Sequence, residues 1–329
     1  MMSRPTGELV SLPVSDFSLD LTLGCGQVFH WDREGSGYIG TIGEHALYVE
    51  QQGDTLLVPA GFEEIACRYF ALDHPLGEIY ATFPTDPAMQ TALDFCRGLR
   101  LVRQPLWECV ATFITSSMKQ VAHIAQMSRA IRRRFGNAVE WNGRELFAYP
   151  SPARLAEVDE SDLRACSLGY RAKNLLGSAR MIASGEVNLE AIAGMPDQEA
   201  LEELCRLPGV GEKVANCALL FAFERSRAFP IDVWIERVLR ETYFRGKRNV
   251  TPKRLLAFSA TYFGPYSGYA QQYLFHHARL TWKAAEKQGP PAGRRKGSKI
   301  SKTSRASRST DSKRRFAPRP STVPGAPLD

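Results

Sequence analysis

No run in these 329 residues reaches the ~18 uninterrupted apolar positions that a membrane-crossing helix requires. Between Met1 and Asp16 no basic segment leads into an apolar run, so no secretory signal is expected. Cys-x-x-Cys pairs are missing as well. Seven cysteines are scattered at 25, 67, 96, 109, 166, 205 and 217. That scatter fits reduced thiols rather than a disulfide framework, and it disfavours cysteine-ligated zinc or iron–sulfur sites. Six histidines do not fill the gap, because His276 and His277 are adjacent and on a helix would diverge by about 100°. These absences lead to an intracellular protein, cytoplasmic or nucleoid-associated in a bacterium and nuclear in a eukaryote. No cofactor and no membrane partner are expected.

A basic folded part is missing too. The chain has 42 Lys and Arg against 35 Asp and Glu, a net +7. Eleven of the basic and two of the acidic residues lie between Gly289 and Asp329, leaving 31 basic against 33 acidic residues before them. Overall charge therefore says nothing about a basic binding face, and any nucleic-acid reading must rest on particular residues. From Gly289 onward Gly, Pro, Ser, Lys and Arg dominate. Such a segment buries too little apolar surface to offset its ordering entropy and is expected to be disordered. Its clusters Arg294-Arg295-Lys296 and Lys313-Arg314-Arg315 suit phosphate backbones, a nuclear address or a solubilising tail equally well.

What is present divides into residues 1–102, rich in β signals, 103–288, mainly helical, and the tail 289–329. Val28 to Trp31, Tyr38 to Ile42, Ala46 to Val49 and Thr55 to Val58 are short β-prone runs, with turns at Gly35-Ser36-Gly37 and Gly53-Asp54. From about Trp107, apolar residues recur at three- and four-residue spacing through Val110, Phe113, Ile114 and Met118, and helical signals dominate to about Lys287. The expected class is α+β: a small N-terminal antiparallel sheet followed by two mainly helical domains with a cleft between them.

The most informative segment, about residues 198–223, reads as a helix-hairpin-helix. Leu201, Leu204 and Cys205 line one helix, Leu207-Pro208-Gly209-Val210-Gly211 makes the turn, and Val214 to Leu220 form the second helix. Two glycines permit positive φ and close backbone approach, and N–H groups opening a helix suit a DNA phosphate. An ordinary αα-hairpin turn is the plain alternative. Lys213 sits in the first turn of the second helix, where the helix dipole disfavours a cation. That field and partial burial favour the neutral amine, the nucleophile of Schiff-base chemistry. The helix carries the chain about 18 Å away, and residues Glu224 to Ile231 can return it over up to ~27 Å. Asp232 can thus stand beside Lys213, while also serving as N-cap of the next helix.

These features resemble the helix-hairpin-helix glycosylase superfamily. Four further segments resemble its 8-oxoguanine DNA glycosylase/lyase branch of the eukaryotic type: Cys25-Gly26-Gln27-Val28-Phe29-His30-Trp31, Tyr69 to Asp73, Leu168-Gly169-Tyr170-Arg171-Ala172 and Tyr269 to Phe275. Together they cover roughly residues 17 to 282 in family order and spacing. The resemblance implies base excision from duplex DNA carrying oxidised guanine opposite cytosine, by a monomer. Lys213 is then the nucleophile and Asp232 the essential carboxylate. Cys217 and Phe275 flank the extruded base, Gln271 reads its pyrimidine edge, and the Gly26 carbonyl accepts the proton that the oxidised base carries at N7. Taken singly, Cys217 and Phe275 read as core residues, Gln271 as a surface residue and Gly26 as a turn glycine.

Tyr170 matches the wedge, and Arg171 matches the guanidinium that contacts the orphaned cytosine; on their own they read as a partly buried Tyr and a solvated Arg. Gly209 and Gly211 match the phosphate-binding turn. Met118 stands where the family usually has Asn, His123 where it has Arg, and Trp234 where it has a His near a DNA phosphate. The first two departures bear on selectivity for the opposite base. No catalytic metal is implied, although the carbonyls of Cys205, Leu207 and Val210 could hold a structural cation. Two other readings stay open. One is an alkylpurine glycosylase of the same superfamily that uses only the aspartate and water, and the other is a non-catalytic hairpin protein that merely binds DNA.

Overall fold

The computed structural model describes residues 7–117 and 119–288; the expectations for Met118 and for the tail from Gly289 lie outside the described residues. The class is α+β, as expected. Strands β1 (Leu9–Pro13), β2 (Asp32–Glu34), β3 (Gly37–Ile42), β4 (His45–Gln52) and β5 (Thr55–Pro59) form an antiparallel sheet in the order β1-β5-β4-β3-β2. Ile39 pairs with Tyr48 across β3 and β4, and Val10 with Val58 across β1 and β5. Leu47 and Val49 of β4 and Leu56 and Val58 of β5 are fully enclosed, and Ala46 and Tyr48 on the opposite face of β4 are buried too.

Three local readings change. β1 was not anticipated; it pairs with β5 at one end of the strand order. Leu19–Gly24 is a helix, capped by Ser18, whose hydroxyl accepts the Leu21 N–H at 3.3 Å. Val28 to Trp31 is not a strand of the sheet. Its side chains divide instead between two cores: Leu23 and Val28 join Phe17, Val58 and Phe70 beside the sheet, whereas Cys25 and Phe29 join the core among the helices. Residues 23–29 thus form a seam, and burial on both faces gives that run its apolar content.

Beyond the sheet the described residues are mostly helical. Elements used below are Leu106–Ser116, Val121–Phe135, Arg171–Ala183, Asp197–Cys205, Glu212–Phe221, Val233–Val238 and Ser267–Gln288. One β-hairpin interrupts them, β6 (Ala138–Trp141) and β7 (Arg144–Phe147). It closes at Asn142-Gly143, a strong short-range hairpin signal that the helical periodicity around it obscures. Among the described residues no helix is long and apolar enough to cross a membrane.

The seam is tied to the helices by amides. Buried Gln27 donates to the carbonyls of Thr22 (2.9 Å) and Arg100 (2.8 Å) and accepts from Val102 N–H (2.9 Å). Gln104 donates to the Gln27 carbonyl at 2.8 Å, and its own N–H reaches Phe221 at 2.8 Å. Phe221 stacks on Phe113 with centroids 5.5 Å apart. This chain of contacts links the Gly26 loop to the end of the helix that carries Lys213.

Candidate active site

The hairpin forms as the sequence suggests, with Asp197–Cys205 leading into the turn and Glu212–Phe221 leaving it. Gly209 uses the freedom of glycine, at φ +84°, and a Cβ there would lie 2.8 Å from Asn174 on the Arg171–Ala183 helix. Gly211 does not need that freedom: its φ is −103°, and it caps the second helix in an extended conformation. The Leu207 carbonyl accepts the Val210 N–H at 3.0 Å, closing the turn, and its second lone pair stays available.

Lys213 is half-buried in the first turn of its helix, with Nζ 5.2 Å from the centroid of the Phe113 ring. Cys217 follows one turn later, fully enclosed. Burial pushes its thiol pKa up, and interaction with Lys213 partly opposes this. Asp232 caps Val233–Val238, with one carboxylate oxygen accepting from Trp234 N–H (3.0 Å) and Ile235 N–H (2.8 Å). The cap reading is therefore correct, and it coexists with a place beside the lysine. Although Asp232 keeps some solvent contact, burial raises its pKa above the ordinary aspartate value, while the two backbone donors and the Lys213 charge act the other way.

Lys213 and Asp232 line one cavity of about 720 Å³, together with Gly26, Cys217, Gln271 and Phe275. That volume is within the roughly 300–1,000 Å³ usual for ligand sites. Four segments far apart in sequence supply these six residues. Phe275 is half-buried, and Gln271 is buried with its amide oxygen lacking any hydrogen-bond partner. A buried polar atom left unpaired in a cavity wall is costly unless a ligand satisfies it. Gly26 has φ +90°, and an added Cβ would lie 3.5 Å from Phe275 and 3.7 Å from the Arg279 guanidinium.

Gly209, Gly211 and Trp234 line the same cavity. The Trp234 ring lies 6.3 Å from that of Trp282. Tyr170 is 56% exposed, suited to leaving the surface, and His123 is exposed on Val121–Phe135. Arg171 contradicts the solvated reading. It is buried under Tyr170, with its guanidinium 4.4 Å from that ring, and it donates to the Ser117 carbonyl through Nε at 3.0 Å and through Nη2. Ser117 caps the C-terminus of Leu106–Ser116, where carbonyls lack helical partners and cations are favoured.

Sequence reasoning missed Phe29, Phe113, Val121, Gln272 and Arg279 in the cavity wall. Arg279 had a usable signal. It follows Gln271 by eight residues and Phe275 by four, hence lies on the same helix face.

Comparisons with known proteins give the family. A profile described as 8-oxoguanine DNA glycosylase, N-terminal domain, matches residues 9–110, and one described as HhH-GPD superfamily base excision DNA repair protein matches residues 111–260. A probable N-glycosylase/DNA lyase of Methanothermobacter thermautotrophicus is 35% identical over 61% of this chain and 70% of its own length. The chain belongs to the N-glycosylase/DNA lyase family. The family member N-glycosylase/DNA lyase OGG1 of Arabidopsis thaliana is 30% identical over 81% of this chain and 78% of its own length. Among solved structures, the Clostridium acetobutylicum 8-oxoguanine glycosylase/lyase, in complex with double-stranded DNA containing cytosine opposite 8-oxoguanine, is 32% identical. It covers 82% of this chain and 97% of its own, with a TM-score of 0.76.

Proposed function

We propose that this protein excises 8-oxoguanine from duplex DNA and then nicks the strand at the abasic site. One observation carries the reading: Lys213, Asp232 and the four residues with base-contacting counterparts in the family line a single cavity. The damaged nucleotide is extruded into that cavity, between Cys217 and Phe275. Gln271 pairs with its pyrimidine edge, and the Gly26 carbonyl accepts the N7 proton. Unmodified guanine has a lone pair at N7 and is refused by the opposed acceptor.

Chemistry begins at C1′. The glycosidic C–N bond breaks with its electron pair leaving on the base, which takes up a proton, and the Asp232 carboxylate stabilises the positive charge developing on the sugar. The Lys213 amine nitrogen bonds to C1′. Ring opening yields a Schiff base, which acidifies the C2′ proton. Loss of that proton expels the 3′ phosphate by β-elimination. Tyr170 fills the vacated position in the duplex, and Arg171 with His123 and Met118 meets the orphaned base, cytosine being preferred. The turn at Gly209 and Gly211 holds a phosphate, Trp234 packs near the backbone, and a structural cation can sit at the Cys205, Leu207 and Val210 carbonyls. The enzyme acts as a monomer inside the cell.

Borohydride trapping on an 8-oxoguanine duplex tests the scheme. A covalent adduct is expected with the native chain and none with Lys213→Gln. Release of methylated purines without nicking would reject it in favour of a water-using alkylpurine glycosylase.

A further inference from the structure

Four consecutive carbonyls in the seam differ in how they are used. Gly24 accepts from Arg279 Nη2 at 2.7 Å, Cys25 accepts from Gln272 Nε2 at 3.2 Å, and Gln27 accepts from Gln104 Nε2 at 2.8 Å. Gly26, between them, lines the cavity, and no described residue donates to its carbonyl. Gly26 is part-buried at the cavity wall, so its carbonyl, unlike those of its capped neighbours, is left for a ligand donor.

We propose that Arg279 and Gln272 are positioning residues for damage recognition, holding the Gly24 and Cys25 carbonyls so that the Gly26 carbonyl is the group the cavity offers to the base. This rests on the reading of Gly26 given above and deepens it. Selectivity between 8-oxoguanine and guanine depends on which face of one peptide is presented. A glycine at φ +90° leaves that peptide free to flip, and a flip would offer an N–H, which suits the lone pair on guanine N7. Hydrogen bonds on both sides of the glycine prevent this.

Arg279 is itself buried, and its guanidinium bonds through Nη2 while its Nε has no partner among the described residues. Its Nη2 also lies 3.1 Å from Nδ1 of His276, and its guanidinium carbon is 5.6 Å from the Phe275 centroid. Burial pushes the His276 pKa down to about 4, so that ring is neutral at pH 7 and accepts from the guanidinium. Arg279 thereby braces both the glycine loop and the aromatic wall. Gln272 donates from the helix position next to Gln271.

The test compares binding of an 8-oxoguanine:cytosine duplex and a guanine:cytosine duplex to the full chain carrying Lys213→Gln, with and without Arg279→Met, Gln272→Met or Arg279→Lys. A second measurement is strand incision at a preformed abasic site, with Lys213 intact. That step needs no base in the cavity. Arg279→Met should lower the affinity ratio between the two duplexes about tenfold and Gln272→Met about threefold. Arg279→Lys, which still donates, should recover most of the ratio, and abasic incision should fall less than threefold. An unchanged ratio in both methionine variants overturns the proposal, as does a loss of abasic incision that parallels the loss of lesion binding. If the chain without the second substitution already binds both duplexes equally, the reading of Gly26 falls first, whatever the variants do.

Discussion

The cavity wall around Gly26 and the face carrying Tyr170, Arg171 and His123 are built in contrasting ways. Around Gly26 the polar groups are fixed by the protein itself: amides and a guanidinium cap the flanking carbonyls, and the Gly26 acceptor stands open. On the other face the polar groups are spent on the protein. Arg171 is folded beneath Tyr170 and caps the Ser117 carbonyl, while His123 stands in solvent. Under the proposed function, lesion recognition uses groups in place before DNA arrives, and opposite-base recognition by Arg171 would require it to give up internal hydrogen bonds. Selectivity should be steep for the lesion and shallow for its partner.

The largest expected effect tests the chemistry that both faces serve. Lys213→Gln should abolish the trapped adduct and cut base release by about 10³-fold or more, measured in single turnovers. A residual adduct would place the nucleophile elsewhere.

Asp232→Asn should slow base release by roughly 10²–10³-fold and at the same time raise the melting temperature at pH 7. The sign follows from burial. Because the Asp232 pKa is raised in the folded state, its contribution to stability is fully present below its unfolded pKa and is lost as pH rises through the folded one. Asparagine still caps the helix without a buried charge. The gain in melting temperature should accordingly vanish in acid, and base release by the native chain should fall as Asp232 is protonated, at a pH above the ordinary aspartate range.

Gly26→Ala sharpens the comparison directly. A residue held at φ +90° costs roughly 1–2 kcal/mol when it is not glycine, so 8-oxoguanine excision should drop about tenfold. Incision at a preformed abasic site should drop much less. Equal losses in both assays would mean that the pre-set wall has no special part in recognising the base.

The smallest effect belongs to the other face. Arg171→Ala should change the preference among the four opposite bases only about threefold, because any contact to cytosine must replace hydrogen bonds already made inside the protein. A much larger change, measured as base release from four duplexes, would show that this face is as preorganised as the lesion wall.

Much of the site was legible because helix geometry is local. A lysine in the first turn after a glycine turn, Cys217 one turn later, an aspartate before a new helix, and Gln271 with Phe275 on one face all follow from periodicity. Arg279 was equally readable by spacing, but a lone arginine on a helix usually signals a solvated face. The plain reading of Arg171 as solvated failed for the same reason, since its burial depends on Ser117, which is 54 residues away. Val28 to Trp31 was misplaced because alternating burial in two cores and alternating burial in a sheet produce similar apolar runs.

Sequence by itself determined the class, the hairpin and the choice of Lys213 and Asp232 as candidates, since each is written in short-range pattern and in resemblance to a family. Only the tertiary structure decided that Gly24, Cys25 and Gln27 have their carbonyls capped while Gly26 does not. Hydrogen bonds of that kind join residues up to 255 positions apart, and nothing in local spacing can specify which distant donor reaches which carbonyl.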